Sequence, residues 1–177
     1  MRTDRLQHEE QLRIVWHDFP LHPEVPEEGI ELAELFAGRD FDLAGAHARL
    51  RQIAAKEGVE LAERSRTSNS RRAQELSHWA EAQGCGDAFR RAIYRAFFVE
   101  SRNIGLVEEL AAIAAAVGLD ATAARAVLLG GSQAKAVDAD WERAYALGIR
   151  GVPAYLCHGR LMTGFHSYED YLRLVRG

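Results

Sequence analysis

Residues 148–156 read Gly-Ile-Arg-Gly-Val-Pro-Ala-Tyr-Leu, which is the end of a helix, a Gly-Val-Pro turn and the start of an apolar strand. Helical periodicity runs up to Gly148. His158-Gly159 suits the two-residue loop of a type I′ hairpin, so the strand is expected to return at 160–163. A closing helix is predicted at 167–175. The order helix, turn, hairpin, helix decides the fold class.

The Val152-Pro153 bond has two interpretations from this stretch alone. A cis X-Pro bond is uncommon and is kept where the backbone must be presented in a particular way. An ordinary trans proline is also permitted at the first residue of a strand. The local sequence leaves both open.

Composition restricts the class of protein. The chain has 177 residues, 47% hydrophobic and 27% charged, as in a globular protein of one domain, or of one domain with a large insertion. A net charge of −4 argues against nucleic acid as the main partner. No apolar run is long enough to cross a membrane, and the N-terminus lacks the apolar core of a secretory signal. We therefore expect a cytoplasmic protein.

The first strand is predicted at residues 13–19, where Ile14, Val15 and Trp16 form the continuous apolar run of a strand covered on both faces. Pro23 and Pro26 then favour an extended connector, because each proline restricts the residue before it.

From residue 28 to about 136 the sequence is almost entirely helical in period. Glycines and capping residues, with Asp87 and Asp120 among the predicted caps, divide it into helices. These are predicted at 42–57, 71–83, 87–100, 106–117, 120–129 and 132–147, after a first short helix that ends at Gly38. A block of this length exceeds a simple crossover between strands. We predict an α/β domain formed by residues 1–28 and 137–177, with an all-helical domain, residues 29–136, inserted in it.

Four stretches together resemble one known family. They are residues 13–21 with the prolines after them, Thr67-Ser68-Asn69-Ser70, residues 97–105 and residues 148–153. Their order and spacing resemble the DsbA family. The similarity is closest to its cytoplasmic branch, which includes FrnE-like oxidoreductases and is related to 2-hydroxychromene-2-carboxylate isomerases and kappa-class glutathione transferases. The resemblance covers essentially the whole chain and implies a thioredoxin-like fold with a helical insertion.

The same resemblance exposes a gap. The family begins with a strand and a CxxC motif at a helix N-terminus, which lowers the pKa of the attacking thiol, and the second cysteine resolves the mixed disulfide. This sequence starts inside or just after that helix and has only Cys85, expected in a loop, and Cys157, expected in a strand. We predict no catalytic residue and no dithiol redox activity in this chain.

The gap also affects the sheet. In the thioredoxin fold the missing strand lies between the strand at 13–19 and the hairpin. Either these two pair directly, or the sheet takes a strand from a partner, because an unpaired edge invites pairing. The second alternative predicts a homodimer.

The resemblance further implies four substrate-binding residues. Gly151, Val152 and Pro153 would present their backbone to a substrate, and Asn69 would face the active-site cleft. Without the resemblance, Asn69 is a helix cap.

An arginine cluster surrounds Asn69, at positions 64, 66, 71 and 72. It is either a solvated helix start or a site for an anion such as a glutathione carboxylate. His17 and His22 are not expected to bind a metal, since metal sites need several converging ligands.

Three functions stay open. The first is a thiol-disulfide oxidoreductase relative, with peptide or protein thiol substrates, that is redox-inactive as this chain. The second is a non-catalytic module that binds extended peptides or a partner subunit at residues 151–153. The third is a glutathione-dependent isomerase or transferase of the kappa type, with glutathione as its cofactor.

Overall fold

The computed structural model describes residues 2–177, and within them the chain is rich in helix with a few short strands. In chain order the elements are α1 (Arg2–Glu9), β1 (Ile30–Glu31), α2 (Leu32–Leu35), α3 (Leu43–Lys56), β2 (Arg66–Thr67), α4 (Arg71–Ala82), α5 (Gly86–Phe98), α6 (Val107–Ala116), α7 (Ala121–Gly130), α8 (Ala134–Ala146), β3 (Ala154–Cys157), β4 (Arg160–Thr163) and α9 (Tyr168–Arg176). The predicted mixture of helices with a hairpin is confirmed.

The chain divides into two compact units. One comprises Met1–Leu21 with Ala139–Gly177, and the other comprises His22–Asp138. We call them the hairpin unit and the helical unit. The predicted domain ranges, 1–28 with 137–177 and 29–136, differ from these units by seven residues at the first boundary and by two at the second, and they remain a prediction.

The core of the helical unit lies among α4, α5, α6 and α7. Leu76, Phe89 and Leu110 come from three of these helices and expose no surface. Each buried side chain of this size stabilises the fold by about 1.5–3 kcal/mol relative to its exposed state. The helical spacing of the apolar residues therefore predicts this core correctly.

Capping residues fix several helix starts where the sequence predicts them. The side chain of Asp120 accepts from the Ala123 N–H at 2.8 Å and caps α7. Ser167 and Asp170 form a capping box at α9, and the Ser167 hydroxyl with Arg173 lowers the pKa of Asp170 to about 2. The prediction that Asp87 caps α5 is wrong, because Cys85 is the N-cap and Asp87 lies inside the first turn. A carboxylate is also favourable there, where it faces the positive end of the helix dipole.

The hairpin has the predicted turn. His158 and Gly159 both have positive φ, 49° and 76°, as a type I′ turn requires. The register pairs Tyr155 with Met162 and Leu156 with Leu161. Tyr155 and Met162 pack with the cluster that α1 and α9 form around Leu6, Tyr168 and Tyr171. Leu156 and Leu161 form the opposite face, because successive side chains of a strand alternate.

The strand predicted at residues 13–19 is not formed. This stretch has no regular secondary structure, and the sheets of residues 2–177 are only the pairs β1-β2 and β3-β4. A strand needs a neighbour to bond its backbone. Here the Asp140 side chain replaces the neighbour, since it accepts from the Asp18 N–H at 2.9 Å and lies 2.6 Å from His17 Nδ1. Direct pairing of this stretch with the hairpin is therefore also wrong.

Across residues 2–177, no helix is long and apolar enough to cross a membrane.

We expect Asp140→Ala to lower the free energy of unfolding by about 1–3 kcal/mol, because Asp140 is buried and its carboxylate holds the Asp18 N–H. Hydrogen exchange at Asp18 should become faster, and denaturant unfolding gives the free energy. Asp138→Ala on the same helix is the control, because it removes only an exposed carboxylate that is paired with Arg71. Unchanged exchange at Asp18 in Asp140→Ala would contradict this anchoring.

Candidate functional site

The turn Gly151-Val152-Pro153 lies at the surface of the hairpin unit, between α8 and β3. The Val152-Pro153 peptide bond is cis, and the Val152 side chain is 52% exposed. The Pro153 carbonyl accepts from the Gly164 N–H at 2.7 Å, which fixes the turn to the end of β4. The turn is thus both accessible and held in place.

The outer edge of β3 continues from this turn. The bond between Pro153 and Gly164 sets the alternation of the ladder, so Tyr155 and Cys157 bond to β4 while the N–H and C=O groups of Ala154 and Leu156 point away from it. Among the described residues, no hydrogen bond to these outward groups is formed. An unpaired edge of this kind is a template for another extended chain.

The two cysteines belong to different units. Cys157 lies on β3, on the same face as Tyr155, and is half-buried. Cys85 lies in the predicted loop of the helical unit, as the N-cap of α5. Both are free thiols, and each is the single cysteine of its unit.

A separate cleft of about 370 Å³ opens in the helical unit. The start of α4, the end of α7 and the loop before α6 form its walls. The lining residues are Glu27, Asn69, Arg71, Arg72, Glu75, Gly105, Leu128, Leu129, Gly130 and Gly131.

Asn69 lines this cleft, but its amide group is engaged with the protein itself. The Nδ2 atom donates to the carbonyls of Val25 at 2.7 Å and Pro23 at 3.2 Å. The Oδ1 atom accepts from the Arg71 N–H at 2.8 Å. Asn69 therefore ties the proline-rich connector to the start of α4, and a role in substrate binding remains a prediction.

Asn103, which was not predicted as a site residue, bonds the connector and the main chain in the same way as Asn69. Its Nδ2 donates to the Glu27 carbonyl at 3.0 Å, and its Oδ1 accepts from the Gly105 N–H at 2.8 Å. A Cβ atom on Gly105 would lie 2.5 Å from the Glu27 carbonyl oxygen. An asparagine placed two residues before a glycine favours a turn in which its side chain bonds the glycine N–H, so the sequence did contain a signal for this contact.

The four arginines around Asn69 do not form one basic patch. Arg66 pairs with Glu31 at 2.7 Å, and the Arg64 guanidinium lies 3.9 Å from the centroid of the Phe97 ring. Burial lowers the pKa of Arg64.

The two arginines inside the cleft are matched by carboxylates. Arg71 reaches Glu75 at 3.2 Å and Asp138 at 2.7 Å, and Arg72 pairs with Glu27. Because Glu27 and Glu75 line the cleft together with Arg71 and Arg72, the walls carry no excess positive charge for an anion.

Comparison with known proteins gives one family. The model of the DSBA-like thioredoxin domain matches residues 1–176. No curated protein sequence gives a significant match.

Two solved structures resemble the chain over almost its whole length. A probable DsbA oxidoreductase from Streptomyces coelicolor is 27% identical with a TM-score of 0.84, and the match covers 97% of this chain and 79% of that one. A 2-hydroxychromene-2-carboxylate isomerase is 18% identical with a TM-score of 0.74, and the match covers 98% and 83% of the two chains. At that identity the second likeness concerns the fold alone.

Gly105→Ala tests the close approach beside the cleft. We expect it to lower the free energy of unfolding by about 1–3 kcal/mol, since the new methyl group overlaps the Glu27 carbonyl. Gly130→Ala is the matched control in the same lining, because no atom lies within 4 Å of its added Cβ, and it should be neutral or stabilise α7 by up to about 1 kcal/mol. Equal effects of the two substitutions in urea unfolding would refute this packing.

Proposed function

Since the chain belongs to the family of DSBA-like thioredoxin domains, we propose that it binds extended polypeptide at the Gly151-Val152-Pro153 turn and carries out no dithiol-disulfide exchange itself. The family and the thioredoxin-like fold with its helical insertion are the premise. The accessible turn at the start of an unpaired strand edge is the observation that carries the proposal.

The geometry of the turn supports binding of an extended chain. A peptide that adds to a sheet edge takes its affinity from main-chain hydrogen bonds and its selectivity from alternate side chains. Ala154 and Leu156 supply outward N–H and C=O groups directly after the turn. Val152, Leu156 and Leu161 supply exposed apolar surface beside them, so a segment with apolar residues is favoured.

The placement of the cysteines supports the absence of exchange chemistry. Exchange with a substrate disulfide requires an attacking thiolate and a second thiol that resolves the mixed disulfide. Neither unit holds two cysteines, so neither unit contains a dithiol. The similar Streptomyces protein is described as a probable oxidoreductase. We propose that this chain has the binding surface without that activity.

The absence of exchange is tested by reduction of insulin in the presence of dithiothreitol. We expect the 177-residue chain to give the uncatalysed rate. The variant that carries both Cys85→Ser and Cys157→Ser should give the same rate. Turnover above background that disappears in this double variant would show that one of the two thiols is catalytic.

The binding surface is tested with a permanently unfolded probe, reduced and carboxymethylated α-lactalbumin, whose own thiols are blocked. Val152→Asp should weaken binding about 10-fold or more, because it replaces an apolar contact worth about 1.5–3 kcal/mol. Leu129→Asp is the control, since Leu129 is 75% exposed and belongs to the other unit. Binding that both substitutions weaken equally, or the absence of any binding, would contradict the proposal.

A further inference from the structure

We infer that two copies of this chain pair through the outer edge of β3, antiparallel, about a twofold axis at Tyr155. The inference rests on the edge itself and does not depend on the peptide binding proposed above.

The outward groups of β3 are complementary to themselves. Ala154 and Leu156 lie one residue on either side of Tyr155, and both point their N–H and C=O groups away from β4. A twofold axis at Tyr155 places Ala154 opposite Leu156 of the second copy, and Leu156 opposite Ala154. Residues that face each other in this way exchange both N–H···O bonds in an antiparallel ladder. All four outward groups of each copy then gain a partner.

The side chains on the exposed face favour the same arrangement. Leu156 is 42% exposed and Leu161 is 40% exposed, and they are cross-strand neighbours. In the paired sheet, Leu156 of each copy lies beside Ala154 of the other. The two apolar pairs then join into one stripe across four strands. An interface with identical patches on both copies is the usual form of a twofold dimer.

The edge of β3 carries no charged side chain that would oppose association. Such edges usually carry charged side chains, and residues 151–157 contain none. The equivalent edge of β4 is partly closed, because the Thr163 carbonyl lies 2.8 Å from the ring nitrogen of His166. Residues 13–19 do not pair with β3 either, since the only strand hydrogen-bonded to β3 within residues 2–177 is β4. The β3 edge is therefore the preferred one.

The pairing has a consequence for the turn. In this register the His158-Gly159 turn of the second copy lies beside Val152. A dimer would therefore cover the surface where we place the polypeptide, and the two occupants would compete. A second copy is the occupant to which this inference commits.

Cysteine cross-linking tests the register, in a background with Cys85→Ser and Cys157→Ser. An equimolar mixture of the single variants Ala154→Cys and Leu156→Cys should form a covalent dimer when diamide is added. Opposed residues in this ladder have Cα atoms about 5.5 Å apart, which a disulfide can span. Each variant alone should form no covalent dimer, because the cysteines of the two copies are then offset by two residues along the paired strands.

The matched control is a mixture of Leu161→Cys and Thr163→Cys, which have the same spacing on β4. We expect this mixture to form no covalent dimer. We also expect the apparent mass of the unmodified chain in sedimentation to rise toward that of a dimer with concentration. Equal cross-linking on β4, equal cross-linking of either β3 variant alone, or a monomer at every concentration would overturn the inference. Probe binding by Val152→Asp is measured on dilute chain, so failure of the dimer is distinguishable from failure of the proposed function.

Discussion

Asn69 and Asn103 hold the connector at Pro23–Glu27, a series of turns, by its carbonyl oxygens, and the walls of the cleft depend on that attachment. Each asparagine accepts from the main chain two residues ahead and donates backward to the connector. Buried carbonyls without partners are costly, so an irregular segment beside a core needs such side chains. Val25, which is only 2% exposed, can then contribute to the core. The start of α4 and the loop before α6 are fixed to one segment, and the cleft between them follows.

The hairpin unit provides fewer hydrogen-bond partners for the backbone groups of its irregular stretch. Asp140 supplies one carboxylate to a stretch whose composition suits a central strand. That contact satisfies the Asp18 N–H group, while the side chains of Val15 and Trp16 are exposed. On the hairpin, two N–H and two C=O groups of β3 face outward. Association with another extended chain is the way in which sheets usually satisfy such groups, so the proposed polypeptide binding and the proposed self-pairing concern the same strand edge.

Local signals in the sequence predicted the local structure well. Glycines at helix ends, Asp120 as a cap and the His158-Gly159 turn each act through the backbone conformation of one or two residues. The prediction of a strand at 13–19 is wrong because a strand needs a neighbouring strand to bond its backbone. The apolar run indicates only that these side chains tend to be buried. The sequence could not decide between the two alternatives for the arginine cluster for a similar reason, because closeness in sequence does not determine which carboxylates come near. Glu27 lies 45 residues from its partner Arg72, and Asp138 lies 67 residues from Arg71. The resemblance identified the family, and it could not reveal that the amide of Asn69 is turned toward the connector.

Thiol chemistry and substrate binding have different physical requirements in a thioredoxin-like fold. A reactive thiolate needs a cysteine whose pKa is lowered by a helix N-terminus, together with a second thiol close by. Binding of an extended chain needs only a strand edge and a turn that keeps it accessible. The bond from Gly164 to Pro153 fixes that edge within the sheet, and the packing of Tyr155 against Tyr171 fixes it from the face opposite Leu156 and Leu161. Neither contact involves a cysteine, so the edge keeps its geometry whether or not a dithiol accompanies it. The two proposals about this edge, polypeptide binding and self-pairing, therefore do not depend on thiol chemistry.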